Sequence, residues 1–174
     1  LDRKYMEGGR ANVMAAMAVF DREAENVLAG QAQAVAHMQR IPETAQFVSA
    51  YPDAGAYVLS LRLHSRVQIE WLESAASAAR EIGDRRGEGN HLGNLGNAYA
   101  RLGEVPKAID HHEQALVISR EIGDRRGEGS DLGNLGNAYA RLGEVPKAID
   151  HYEQALVIAR EIGDRRGEGS RLGN

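Results

Sequence analysis

A gapless internal repeat limits what this chain can fold into more than any other feature. Residues 87–126 and 127–166 align over 40 positions and differ at four: Asn90/Ser130, His91/Asp131, His112/Tyr152 and Ser119/Ala159. The period extends past both copies. Arg80-Glu81-Ile82-Gly83-Asp84-Arg85-Arg86-Gly87-Glu88-Gly89 recurs letter for letter at 120–129 and 160–169, and Ser170-Arg171-Leu172-Gly173-Asn174 begins another unit. A short unit copied in tandem cannot enclose a core of its own and buries its apolar face by stacking on its neighbours. The expected organisation is a helical cap or spacer over 1–66 and a repeat array over 67–174. The array divides into a half unit 67–86, full units 87–126 and 127–166, and a truncated unit 167–174. Opening on Leu1 and stopping inside a motif, the chain reads as part of something longer.

Each unit carries two helical stripes. Leu92, Leu95, Gly96, Tyr99 and Leu102 fall on one face of a first helix. Ala108, Ile109, His112, Ala115, Leu116, Ser119 and Ile122 make the second. Asp84 and Asp124 stand where N-caps belong, and Glu88 adds favourable charge to a first turn. Pro106 suits a first turn, and Gly103 and Gly123 suit helix ends. Gly87, Gly89, Gly93 and Gly96 fall in or near the first helix, where each costs about 1 kcal/mol against Ala. That helix needs neighbours to hold it, and Gly96 is expected to admit its paired helix closely. Before the array, Ala11–Phe20, Asp21–His37, Glu43–Ala50, Ala54–Leu63 and Val67–Arg80 read as helices. Trp71, the single Trp, is expected at the junction with the repeats. The fold class is therefore all-α, an α-solenoid of antiparallel helix pairs behind an N-terminal helical region.

Composition and motifs exclude most chemistry. There is no Cys, hence no disulfide, thiolate metal site or cysteine nucleophile. No apolar run approaches the roughly 18 residues of a membrane span, and no signal peptide opens the chain, so a cytoplasmic location is expected. No P-loop signature occurs. His111 and His112 are adjacent, so on a helix they point about 100° apart and do not converge on one metal. The carboxylates, Asp110 and Asp150 among them, sit at repeat period on solvated faces. No enzyme activity, cofactor or metal is expected in this stretch. The pairs Arg85-Arg86, Arg125-Arg126 and Arg165-Arg166 could meet phosphates. Acidic residues flank each pair, though, and the net charge is −4, which argues against nucleic acid.

The strongest functional signal is a ladder of Asn. Asn94, Asn97, Asn134 and Asn137 stand inside the first helices, where Asn is disfavoured. Asn94 and Asn134 are expected to bond a neighbouring loop. Asn97 and Asn137 are expected to face a groove, with Arg101 and Arg141 one turn further on and Asn90 one step before. An Asn amide offers a donor and an acceptor to a peptide backbone, and Arg can pair an acidic group bidentately.

These residues resemble the tetratricopeptide repeat. Its apolar, Leu-Gly, Tyr, Ala, aromatic, Ala pattern is held by Leu92, Leu95-Gly96, Tyr99, Ala108, His112 and Ala115, and by Leu132, Leu135-Gly136, Tyr139, Ala148, Tyr152 and Ala155. Leu stands in the usual Trp place and Arg120 and Arg160 where a closing Pro is usual. The unit of 40 residues is similar to the longer Leu-Gly-Asn variant of spindle-orientation adaptors and many prokaryotic repeat proteins. The resemblance covers about 85–174. It implies a right-handed stack of helix pairs whose first helices line a concave surface that binds a protein or peptide, with an acidic one suiting the Arg residues.

A second resemblance lies earlier in the chain. Phe20-Asp21-Arg22-Glu23-Ala24-Glu25-Asn26-Val27 and Trp71-Leu72-Glu73-Ser74-Ala75 are similar to helices preceding the repeats in signal-transduction ATPases of the NB-ARC and MalT-like kind. This implies a sensor or oligomerisation arm whose nucleotide chemistry lies upstream. A free-standing adaptor is the alternative. The last stack face, around Ala148, Leu156 and Ile162, is expected to fray or to associate end to end with another chain.

Overall fold

The computed structural model describes residues 10–38, 41, 43–54 and 65–164. Seven helices are found among them: α1 (Arg10–His37), α2 (Glu43–Ala54), α3 (Ser65–Glu81), α4 (Arg85–Leu102), α5 (Val105–Glu121), α6 (Arg125–Arg141) and α7 (Val145–Glu161). By contacts the chain divides into two units, Leu1–Asp84 and Arg85–Asn174.

In the second unit, local chemistry sets the helix ends. Gly103 and Gly123 have φ of +79° and +69°, and a Cβ on either would meet nothing within 4 Å. Glycine is needed there for backbone conformation and not for space. The residue after each bonds back into the helix it leaves, Glu104 N to the Tyr99 carbonyl at 3.0 Å and Asp124 N to that of Ser119 at 2.8 Å. The chain then reverses, so α5 runs antiparallel to α4 and α7 to α6. Asp124 caps α6, its carboxylate accepting from Gly127 N at 2.9 Å. α5 and α7 open with a proline in the first turn.

The glycine-rich segment is helical throughout in α4, and packing explains why that is tolerated. A Cβ on Gly96 would lie 2.5 Å from the His112 ring, and one on Gly136 would lie 2.5 Å from the Tyr152 ring. Each glycine is the slot for a ring of the paired helix. α4 packs on α5, α5 on α6 and α6 on α7. The core joins Ile109 and Leu116 of α5, Leu132, Leu135 and Ala138 of α6, and Ala155 and Ile158 of α7. Charged clips reinforce each pair. Arg85 bonds Glu88 on its own helix and Glu121 at the end of α5, and Arg125 likewise bonds Glu128 and Glu161.

In the first unit, α1 is one helix of 28 residues where two were expected. No proline separates Phe20 from Asp21, and the exposed Asp21 needs no break. α2 runs past the expected Ala50 to Ala54, with Pro52 inside it. The helix expected over Ala54–Leu63 lies, beyond Ala54, outside the described residues, as does the truncated unit 167–174. α1 packs on α2 and α2 on α3. Trp71 of α3 is buried against Phe20 of α1, with Ala24, Val27 and Val67 around them. A second cluster gathers Ala45, Val48 and Ala78. No helix among the described residues is long and apolar enough to cross a membrane.

Candidate functional site

Spacing of four, three and four residues puts Asn90, Asn94, Asn97 and Arg101 on one face of α4. The same spacing puts Ser130, Asn134, Asn137 and Arg141 on one face of α6. The C-terminal ends of the two helices meet, since Arg141 Nη1 donates to the Ala100 carbonyl at 2.7 Å. Between them lies a groove of about 330 Å³ lined by Asn90, Asn94, Asn97 and Asn134, with Ile118 and Ser119 of α5 among its other walls. It continues into a second hollow of about 200 Å³ that shares Asn97 and Asn134 and adds Arg101, Asn137, Arg141 and His112. All seven residues singled out in the sequence thus line one continuous groove.

Their states differ. Tyr152 donates its hydroxyl to Asn137 Oδ1 at 2.8 Å, which leaves that amide its NH₂ group for the groove. Asn94, Asn97 and Asn134 make no side-chain hydrogen bond among the described residues, so the loop bond expected of Asn94 and Asn134 is not formed. Arg141 is anchored on Ala100, and Arg101 is exposed at the end of α4.

The groove also holds a group that sequence reasoning missed. Asp131 of α6 is only 7% exposed. Ser119 Oγ donates to its Oδ2 at 2.9 Å. Its Oδ1 faces α4 and would lie 3.5 Å from a Cβ on Gly93. Burial pushes this carboxyl up to about 6; the Ser119 bond opposes the rise and nearby Asp124 adds to it. The available signal was the repeat itself, because positions 119 and 131 are both among the four that differ between copies.

The remaining candidates are structural. His112 is 1% exposed, and burial, with His111 beside it, holds its imidazole down to about 4. His111 stacks on Tyr99 at 5.2 Å. No group of three or more His, Cys, Asp or Glu that could hold a metal exists among the described residues. Of the paired arginines, Arg85 and Arg125 are held in their clips and Arg86 pairs with Asp124 at 3.3 Å; Arg126 is exposed, and Arg165 and Arg166 lie outside the described residues.

Residues 87–161 match the family model described as tetratricopeptide repeat, and this segment carries repeats of that family. Among solved structures, the chain is similar to a signal transduction ATPase with numerous domains (STAND) protein with a tetratricopeptide repeat sensor from Pyrococcus horikoshii. The TM-score is 0.66 at 20% identity, over 92% of this chain and 26% of that one. It is also similar to BtubC (BKLC) from P. vanneervenii, with TM-score 0.68 at 19% identity, over 87% of this chain and 62% of that one. At these identities the likeness is one of fold, and the chain spans less than two thirds of either structure. No curated protein sequence matches the chain.

Proposed function

We propose that this chain is the cytoplasmic sensor or oligomerisation arm of a larger signal-transduction ATPase and binds an acidic protein or peptide in the groove between α4 and α6. Tetratricopeptide repeats make residues 87–161 a protein-interaction module; the attachment and the ligand are the proposal. One observation carries the attachment. The two segments that resemble the ATPase arm, Phe20–Val27 and Trp71–Ala75, are remote in sequence yet share one buried cluster built on Phe20 and Trp71. The fold likeness to a STAND protein with such a sensor supports the same reading. Reading the parent frame tests it: a P-loop and winged-helix segment upstream is expected, and a start codon directly before Leu1 would replace the arm with a free-standing adaptor.

The groove serves either protein, and the Asn and Arg residues lining it favour an extended acidic peptide. Affinity for such a peptide should fall with salt and in the Arg101→Ala/Arg141→Ala double variant; unchanged affinity would sink the groove. The chain itself is given no catalytic step, cofactor or metal. Among the described residues no helix packs on the outer face of α7, and this supports the self-association side of the proposal. Ile109 of α5 is 8% exposed under α6, whereas its copy Ile149 on α7 is 51% exposed. We assign that face to a further helix pair, from a second copy of the chain, and mass rising with concentration in light scattering is the expected sign. A strictly monomeric chain would remove it.

A further inference from the structure

The four differences between the copies are not scattered. Asn90 and Ser130 line the groove, as do Ser119 and Asp131, and His112 lines its continuation. Exposed positions away from it, such as Lys107, Asp110 and Val117, are unchanged in the second copy as Lys147, Asp150 and Val157. Free drift would strike those positions first, because surface substitutions there cost least. Variation gathered on a groove that two copies otherwise share is the pattern of changed recognition.

Asp131 is the most consequential of these residues. A carboxylate this buried is costly unless paired and hydrogen-bonded. Ser119 satisfies Oδ2, while Oδ1 lies beside α4 on the groove lining, 3.5 Å from where a Cβ on Gly93 would stand. Arg86, on the groove wall, is paired with Asp124, and Arg126 is exposed where it lines the groove. Ten residues separate Asp131 from Arg141 along α6, or about 15 Å at 1.5 Å per residue. An extended peptide covers that distance in about four or five residues.

We infer that Asp131, held by Ser119, is a specificity-determining anchor for a Lys or Arg side chain of an extended peptide whose acidic residue sits at Arg101 and Arg141. This rests on the groove reading and adds a second, opposite charge at a fixed spacing. The groove then offers a carboxylate as well as its guanidinium groups.

The test is selection from a random peptide display library on the full chain, followed by titration of the resynthesised winner. Selected sequences should carry Lys or Arg about four or five positions from Asp or Glu. Asp131→Asn keeps the shape and the Ser119 bond while removing the charge. It should weaken the winner about tenfold or more, and replacing the peptide's basic residue with Gln should abolish the difference between the two proteins. A thermal melt checks that the variant folds. If affinity depends on Arg101 and Arg141 yet is unmoved by Asp131→Asn, the anchor is wrong and the groove stands. If nothing is selected, both fall.

Discussion

The two full repeats share 36 of their 40 residues, as four positions differ, yet the same letters do not meet the same surroundings. In the first copy the ring in the glycine slot is His112, 1% exposed and without a hydrogen bond to its Nδ1. In the second it is Tyr152, half-buried, with its hydroxyl on Asn137. Ile109 is 8% exposed and Ile149, among the described residues, 51%. The difference teaches that a repeat's sequence fixes its helices and its slot, while its burial is conferred by the unit stacked on it.

The largest expected effect tests this directly. Gly96→Ala places a methyl 2.5 Å from a ring that is closed in on every side. Overpacking of this kind costs about 1–3 kcal/mol, more than the roughly 1 kcal/mol that Ala returns in a helix. A net loss of up to about 2 kcal/mol is expected. Gly136→Ala makes the same clash with Tyr152, which can swing outward at the expense of its bond to Asn137, so its loss should be about half as large. Denaturant unfolding of both variants checks the order. Equal losses would break the comparison.

The next effect concerns pH, where two of the variable positions pull in opposite directions. The folded-state pKa of Asp131 is raised from 3.8 to about 6. Its contribution to stability is therefore full below about pH 4 and is lost as pH rises through 6. Asp131→Asn should stabilise the array above pH 6 by less than Gly96→Ala costs, since solvent screens part of the charge, and the gain should vanish towards pH 4. His112 is lowered from 6.5 to about 4. Its contribution is present above pH 6.5 and is lost as pH falls towards 4. His112→Tyr, which copies the second unit, should therefore gain its advantage in acid. Unfolding midpoints of both variants across this range should diverge in opposite senses; parallel curves would mean that neither group is buried as described.

What could be read from the sequence is what depends on local chemistry. Gly103, Gly123 and Asp124 act through their own backbone, and the 4-3-4 spacing of Asn90 through Arg101 fixes a face of one helix. The slot at Gly96 could be read because a large residue recurs opposite it in each unit. Contacts that depend on register between helices could not. Arg85 reaches Glu121, 36 residues away, and Arg141 is committed to the Ala100 carbonyl because α5 sets the offset between α4 and α6. Asp131 was visible as a difference between copies, but only the fold puts Ser119 beside it. The break expected between Phe20 and Asp21 failed because an acidic residue permits a helix start without compelling one.

The smallest expected effect is the control for the comparison. Lys107 Nζ lies 5.0 Å from the centroid of the Tyr99 ring, and Lys147 lies 5.0 Å from that of Tyr139. Each Tyr stacks on its own unit's histidine, His111 or His151, at 5.2 Å. Each Lys also pairs with the Glu three residues before it, at 2.6 Å from Glu104 and 2.5 Å from Glu144. The lysine, ring and carboxylate of each cluster belong to one unit, though the Tyr139 hydroxyl also donates to Glu113 of the preceding unit at 3.4 Å. Exposed cation–π and ion pairs are weak and screened by salt. Lys107→Ala and Lys147→Ala should therefore each lower stability less than either glycine substitution, by equal amounts and with equal salt dependence. A larger loss at Lys107, on the helix that α6 covers, would mean that stacking reaches contacts that look internal to one unit, and that matching local contacts in adjacent copies are not energetically equivalent.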